Sequence, residues 1–356
     1  VTVLGSLCVD GLVEFDRYGV MQPCLAESWD VSDDGTVYTF HLRQGVMWYT
    51  YEGEEYAEVK AGDFVAAAEY VLNASNASKV SNTLYHNIAG AKDYYDGTTT
   101  DFSTVGIKAL DDYTVEYTLV APLPYFIKMV SLNPWFPAQA DFLAEQGDQF
   151  GTSNDTLLYC GAFILSTYEP QQQRVLTKNP TYWDKDNVFL DAIQMTYNAE
   201  ATSIATTMYQ SGEVDQADIS SDLLSAMMAD PNTKDLIHPS RADTSYAYWY
   251  LFNFDPNFDA EYEPENWKLA VNNENFRKSI VHAFNRMPAL ATSDRIDPES
   301  LKNNTITPNA FASASKDYTY YEGLAAYTDG DNFDEALAEE YKTTAIEELT
   351  AAGATF

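Results

Sequence analysis

The sequence predicts a mixed α/β fold, and three observations carry that prediction. Short strand patterns and amphipathic helix patterns alternate along the chain with no repeat period. Their order departs from strict β–α–β alternation, which argues against a simple parallel sheet. The length of 356 residues, at roughly 150 per domain, allows two or three domains, each with its own core.

Each element has a local cause. Thr36-Val37-Tyr38-Thr39-Phe40-His41-Leu42 alternates branched or aromatic residues and follows the turn Ser32-Asp33-Asp34-Gly35, as a strand entered from a tight turn should. Residues 115–119 repeat the pattern after Asp111-Asp112, and residues 174–177 and 193–197 give two more strands. A helix is predicted over 62–73, with Phe64, Ala67, Ala68, Val71 and Leu72 on one face. A second covers 202–209 and stops before Ser211-Gly212, where glycine reverses the chain ahead of Val214. A third, over 274–285, aligns Phe276, Ile280, Ala283 and Phe284. Asp334 caps a last helix carrying Leu337, Tyr341, Ile346 and Leu349, with Gly353 as its stop. Proline-rich stretches at 122–124 and 133–137, the polar run 147–154, and Pro239-Ser240-Arg241 mark boundaries.

Composition removes several function classes. Twenty basic against 54 acidic residues leave a net charge of -34, which argues against a nucleic-acid partner and against anionic membrane surfaces. A hydrophobic content of 46% and an aromatic content of 14% lie far from a disordered composition. No run approaches the roughly 18 apolar residues needed to span a bilayer. The opening Val1-Thr2-Val3-Leu4 lacks an initiator Met and a leader pattern, and reads as a processed or trimmed product. Cys8, Cys24 and Cys160 contain no C-x-x-C and read as buried free thiols.

Catalytic signatures are scarce. His41, His86, His238 and His282 are solitary, so a zinc site lacks support. Neither the G-x-S-x-G elbow nor the phosphate-binding P-loop occurs. Acidic pairs such as Asp33-Asp34, Glu54-Glu55 and Asp111-Asp112 are expected by composition among 54 carboxylates and suit turns and surfaces. Asp215, Asp218 and Asp222 lack the glycine and closing glutamate of a calcium loop. The informative feature is aromatic: Tyr246, Tyr248, Trp249, Tyr250 and Phe252 crowd one strand-like stretch. It reads either as a strand buried on both faces or as the wall of a ligand cleft.

Read in order, several segments resemble the oligopeptide- and dipeptide-binding family of extracytoplasmic solute-binding proteins of ABC importers. Asp10-Gly11-Leu12-Val13, Leu25-Ala26-Glu27-Ser28-Trp29 and Tyr38-Thr39-Phe40-His41-Leu42-Arg43-Gln44-Gly45-Val46-Met47-Trp48 come first. Lys60-Ala61-Gly62-Asp63-Phe64-Val65 follows, then Gly106-Ile107-Lys108-Ala109-Leu110-Asp111-Asp112-Tyr113-Thr114-Val115-Glu116 and Pro122-Leu123-Pro124-Tyr125-Phe126. Gly161-Ala162-Phe163, Asn179-Pro180-Thr181-Tyr182-Trp183-Asp184, Ser211-Gly212-Glu213-Val214-Asp215 and Asn275-Phe276-Arg277-Lys278-Ser279-Ile280 complete the series. The order and spacing of these pieces carry the likeness, since each is weak alone. Tyr182 and Trp183 read as core rather than ligand contacts.

The resemblance implies a two-lobed, type II periplasmic-binding-protein-like α/β fold of the peptide-binding class with an extra small domain, incomplete in this chain. It implies a large-lobe segment ending at 8, a smaller domain at 9–137, a second large-lobe segment at 138–243 and the start of the other ligand-binding lobe at 244–356. The implied function is capture of extracellular oligopeptides by hinge closure and delivery to ABC permease subunits, as a monomer, without catalysis, metal or organic cofactor. Oligosaccharide, a nickel chelate or a signalling peptide stay open as cargo, and a secreted carboxylate-dependent hydrolase is the rival of another class. Carried over residue by residue, Tyr248 leads as a ligand contact, with Tyr246 and Trp249 beside it and Asn133 and Lys79 from the smaller domain; core or surface roles are the alternatives. The implied location is extracytoplasmic, as a lipoprotein on the outer surface or in the periplasm. Departures are a longer insertion at 49–58, Asn285 where Asp is common before Arg286, and the apparent loss of both ends of the family pattern, including its acidic anchor for the peptide amino group.

Overall fold

The computed structural model describes residues 2–238, 249–306, 316, 318–321, 323–324 and 330–355. These divide into two compact units, 1–199 and 200–356.

The first unit opens with helix α1 (Thr2–Cys8) and the ribbon β1 (Val13–Phe15) and β2 (Met21–Pro23). Strands β3 (Ala26–Val31), β4 (Val37–Leu42), β7 (Ile107–Asp111) and β8 (Thr114–Thr118) form an antiparallel sheet in the order β3-β4-β8-β7. The turn into β4 is built by its own side chains: Ser32 Oγ accepts from the amides of Thr36 and Val37, Asp34 accepts from Thr36, and Gly35 takes φ +70°. Alternation then sends Tyr38, Phe40 and Leu42 of β4 and Val115 and Tyr117 of β8 inward. Between these strand pairs, β5 (Met47–Tyr49) and β6 (Glu55–Glu58) make a hairpin, so the 49–58 insertion is a folded structure. Tyr49 exchanges two backbone bonds with Tyr159 and fixes the hairpin to the next part of the unit.

Helix α2 (Ala61–Leu72) covers this sheet and buries Phe64, Ala67, Ala68 and Leu72, as its spacing predicts. It also buries Asp63, which the spacing does not single out. Short helices α3 (Asn82–Tyr85), α4 (Ala91–Tyr95) and α5 (Phe126–Met129) close the edges, followed by α6 (Ala140–Gln146). One core unites both sides of residue 137: Leu12, Phe40, Trp48, Phe64, Tyr117, Phe126, Phe142 and Cys160 share a cluster. A second antiparallel sheet, in the order β11-β10-β9, uses β9 (Phe163–Glu169), β10 (Gln173–Lys178) and β11 (Ala192–Thr196) around a fully buried Leu176. Cys8, Cys24 and Cys160 are buried and free.

The second unit is helical where described: α7 (Ala201–Ser211), α8 (Ser221–Ala229), α9 (Pro264–Asn272), α10 (Glu274–Ala283), α11 (Met287–Ser293) and α12 (Glu335–Ala351). Gly212 at φ +76° stops α7, and Asp334 accepts from the Leu337 amide to start α12. Two of these helices bury only part of their apolar residues. In α12 the inward residues are Ala338, Ala345 and Leu349, while Ile346 is 43% exposed. Polar side chains also join α10 to α12: Asn273 and Asn275 donate to Glu348, and the ring of His282 stacks on Tyr341. Along α10, Ile280 and Phe284 are exposed, whereas Phe276 is half-buried edge-on against Trp267 at 6.0 Å. Among the described residues no helix is long and apolar enough to cross a membrane.

Candidate functional site

Of the sequence-predicted contacts, Tyr246 and Tyr248 lie outside the described residues. Trp249 is 51% exposed and Tyr250 and Leu251 more so, and none of the three sits in a strand. The reading of this stretch as a doubly buried strand therefore does not hold for those residues. Tyr250 meets Phe284 edge-on at 5.1 Å.

Asn133 starts a 3-10 turn, Asn133–Trp135, that follows α5. Trp135 anchors it, buried edge-on against Phe126 at 5.3 Å and beside Tyr117. The Asn133 side chain is half-buried over Gly5 of α1, where an added Cβ would lie 2.4 Å from its amide nitrogen. Lys79 is exposed in the segment before α3.

Open recesses lie elsewhere. One of about 610 Å³ in the second unit is lined by Tyr209, Gly212, Asp215, Asp230 and Asn232, around the end of α7. Another, of about 670 Å³ in the first unit, is lined by Glu27, His41, Gln44, Asp111, Asp112 and Tyr113. Neither contains Asn133, Lys79 or Trp249. Among the described residues no three His, Cys, Asp or Glu side chains gather as metal ligands.

A buried polar constellation joins two of the sequence motifs and was not legible in either. Asp10, 7% exposed, accepts from Trp183 Nε1 at 2.8 Å across 173 residues of chain. Arg43 stacks over the Trp183 ring at 4.0 Å, donates to the Cys24 carbonyl at 2.7 Å and pairs with Glu27 at 3.5 Å. Asn179 seats the Trp183 loop on the rest of the unit: its amide nitrogen donates to the Gly161 carbonyl, and its side-chain oxygen accepts from Thr181. Burial pushes the Asp10 carboxyl up to about 6 against hydrogen bonds from Trp183, Tyr182 and Cys24, and the charge of Asp184 adds to the rise. Glu14 on β1 is pushed up to about 7, first by loss of hydration and then by Asp10 and Asp184, with Arg43 acting oppositely. This arrangement clamps a loop and offers no open surface for a ligand at Asp10.

Comparison with known proteins places this fold. The profile described as bacterial extracellular solute-binding proteins, family 5 Middle, matches residues 20–355. The chain belongs to this family. It is 37% identical over 325 residues to the oligopeptide-binding protein AliB of Streptococcus pneumoniae, covering 87% of this chain and 49% of that protein. It is 34% identical over 351 residues to the oligopeptide-binding protein SarA of Streptococcus gordonii, covering 94% and 52%. A solved periplasmic oligopeptide-binding protein from Borrelia burgdorferi superposes with a TM-score of 0.70 at 26% identity, over 96% of this chain and 61% of that one. The chain thus spans about half the length of the curated relatives it matches, and it shares the mixed α/β fold of the solved oligopeptide-binding protein over the part aligned.

Proposed function

We propose that this family-5 chain belongs to the substrate-binding component of a bacterial ABC importer, which captures extracellular oligopeptides by hinge closure and hands them intact to a membrane permease. One observation carries the reading: the family match runs over residues 20–355, and the relatives AliB and SarA are both named for oligopeptide binding. The net charge of -34 supports a partner other than nucleic acid. In this reading the protein acts as a monomer outside the cytoplasm, as a surface lipoprotein or in the periplasm, and catalyses nothing.

The lobe assignment we propose keeps segments 1–8, 9–137, 138–243 and 244–356. Tyr248, Tyr246 and Trp249 are the proposed contacts from the last segment, with Asn133 and Lys79 from the second. The half-exposed Trp249 ring supports this role, because an exposed indole beside a ligand loses water at little entropic cost.

Mass spectrometry tests the proposal. Protein purified from its own host is incubated with a defined pool of oligopeptides, and bound and free species are compared after gel filtration. Intact peptides retained with the protein are expected. Accumulating fragments would favour the hydrolase reading, and a pool neither retained nor cleaved would overturn peptide capture.

A further inference from the structure

The second sheet of the first unit has an unguarded edge. β11 is an outer strand of that sheet, and its pairing with β10 runs from Ala192 opposite Thr177 to Thr196 opposite Gln173 without a bulge. Backbone bonds from Lys178 N to Asp191 O and from Tyr197 N to Gln172 O fix the phase of the ladder. Odd-numbered residues of β11 therefore bond to β10, and the N–H and C=O groups of Ala192, Gln194 and Thr196 point away from it. No described strand pairs with them. These three residues are exposed. Phe189, Leu190 and Tyr197, which flank the strand in sequence, are 87%, 58% and 61% exposed.

Other outer strands of this unit carry protection against stray pairing. β3 holds Glu27 and Asp30 and a bulge between Ala26 and Ser28. β7 holds Lys108 and Asp111 and a bulge between Ala109 and Asp111. β9 lies against α1 and the turn at 154–156, where Asn154 donates to the Ser166 carbonyl. β11 has no charge, no proline and no bulge from 192 to 196. Its core face is unfinished as well: Ile193 and Met195 pack on the cluster around Leu176 but stay half-buried. A row of outward N–H and C=O groups in extended spacing is matched by another extended backbone.

We propose that β11 serves as an inner strand: a further extended segment of the same polypeptide, outside residues 1–356, pairs with its open edge. Length favours a source in the same polypeptide, since the matched stretch makes up only 49% of AliB and 52% of SarA. The chemistry of the segment follows from the strand it joins. It matches the five residues of β11, is uncharged along its middle, and sets apolar side chains opposite Ile193 and Met195 so that the core around Leu176 closes. Polar residues alternate with these, opposite Ala192, Gln194 and Thr196. The proposal rests on the family match and stands or falls independently of peptide capture.

Amide exchange of the protein purified from its own host tests this, read residue by residue by mass spectrometry and corrected for intrinsic rates. Even protection from 192 to 196, within about tenfold, is expected at concentrations where sedimentation velocity finds a monomer. An alternating pattern, with Ala192, Gln194 and Thr196 more than about a hundredfold faster than Ile193 and Met195, would overturn the added strand. Even protection confined to a dimer would overturn it too and assign the edge to a second copy. Protection lost when bound peptide is dialysed out would do the same and assign the edge to cargo. Gln194→Pro gives a second reading, because it removes an outward N–H that β10 does not use. It should lower the melting temperature of the host protein more than that of the chain 1–356, and equal shifts would refute the proposal.

Discussion

Asp63→Ala should be the most damaging single change in the first unit that leaves its apolar side chains intact. Asp63 is 5% exposed at the third position of α2. Its Oδ2 accepts from Trp48 Nε1 at 2.8 Å and from the Lys60 amide at 3.0 Å, and Trp48 is 1% exposed. Alanine strands the indole N–H in the core, at about 1–3 kcal/mol. It also removes the acceptor that closes the first turn of α2, at about 1 kcal/mol. Burial holds the Asp63 carboxyl above its ordinary pKa, so relief of a partly desolvated charge offsets some of this. The net loss should be about 3 kcal/mol, or roughly 6–12 °C in the melting transition of a unit this size. Asp63→Asn keeps an acceptor and should lose about 1 kcal/mol. Thermal denaturation followed by circular dichroism and tryptophan fluorescence reads both variants, and a cycle with Trp48→Phe should give a coupling of about 1–2 kcal/mol. A loss below about 1 kcal/mol in Asp63→Ala, or strict additivity with Trp48→Phe, would refute the claim that this pair holds α2 to the hairpin.

Three other changes test separate parts of the structure. Gly161→Ala would place a Cβ 2.7 Å from the Cys8 carbonyl carbon and 2.9 Å from Leu7 O and Val9 N. All three are backbone atoms, so the melt should drop by about 2–3 kcal/mol; a change within experimental error would show that α1 shifts freely. Asp334→Ala removes the cap on the Leu337 amide and should lower protection in the first turn of α12 about fivefold, with Asp334→Ser restoring it. Unchanged amide exchange in both variants would rule the cap out. Tyr248→Ala and Trp249→Ala should each weaken peptide binding by calorimetry more than they lower the melting temperature of the unliganded protein. Equal affinity in both variants would remove this stretch from the proposed site.

Elements whose cause lies within a few residues were legible. The Ser32-to-Gly35 turn, the alternation of Tyr38, Phe40 and Leu42, the apolar face of α2 and the stop at Gly212 all follow from local sterics and side-chain-to-backbone bonds, and the structure has them. Helix faces were harder. In α12 Leu349 turns inward, but so do Ala338 and Ala345, while Ile346 stays exposed. A helix pattern tells which residues share a face, whereas the choice of face depends on what the neighbour presents. Here α10 presents Asn273, Asn275 and His282.

The family likeness was also readable, because it rests on an ordered series of short motifs, and the match over residues 20–355 agrees with it. The meaning of individual motif residues was not. Asp10, Trp183 and Asp63 each stand in the sequence as letters of separate short motifs. Local periodicity carries no record of which distant group a buried carboxylate meets. That Asp10 receives the indole of Trp183 across 173 residues, and that Asp63 receives the indole of Trp48 behind the inserted hairpin, was decided by chain closure. A polar group taken out of water must find a partner wherever the packed core leaves one. Strands, helices and turns were therefore set by neighbours along the chain, while the partners of its buried charges were set in three dimensions.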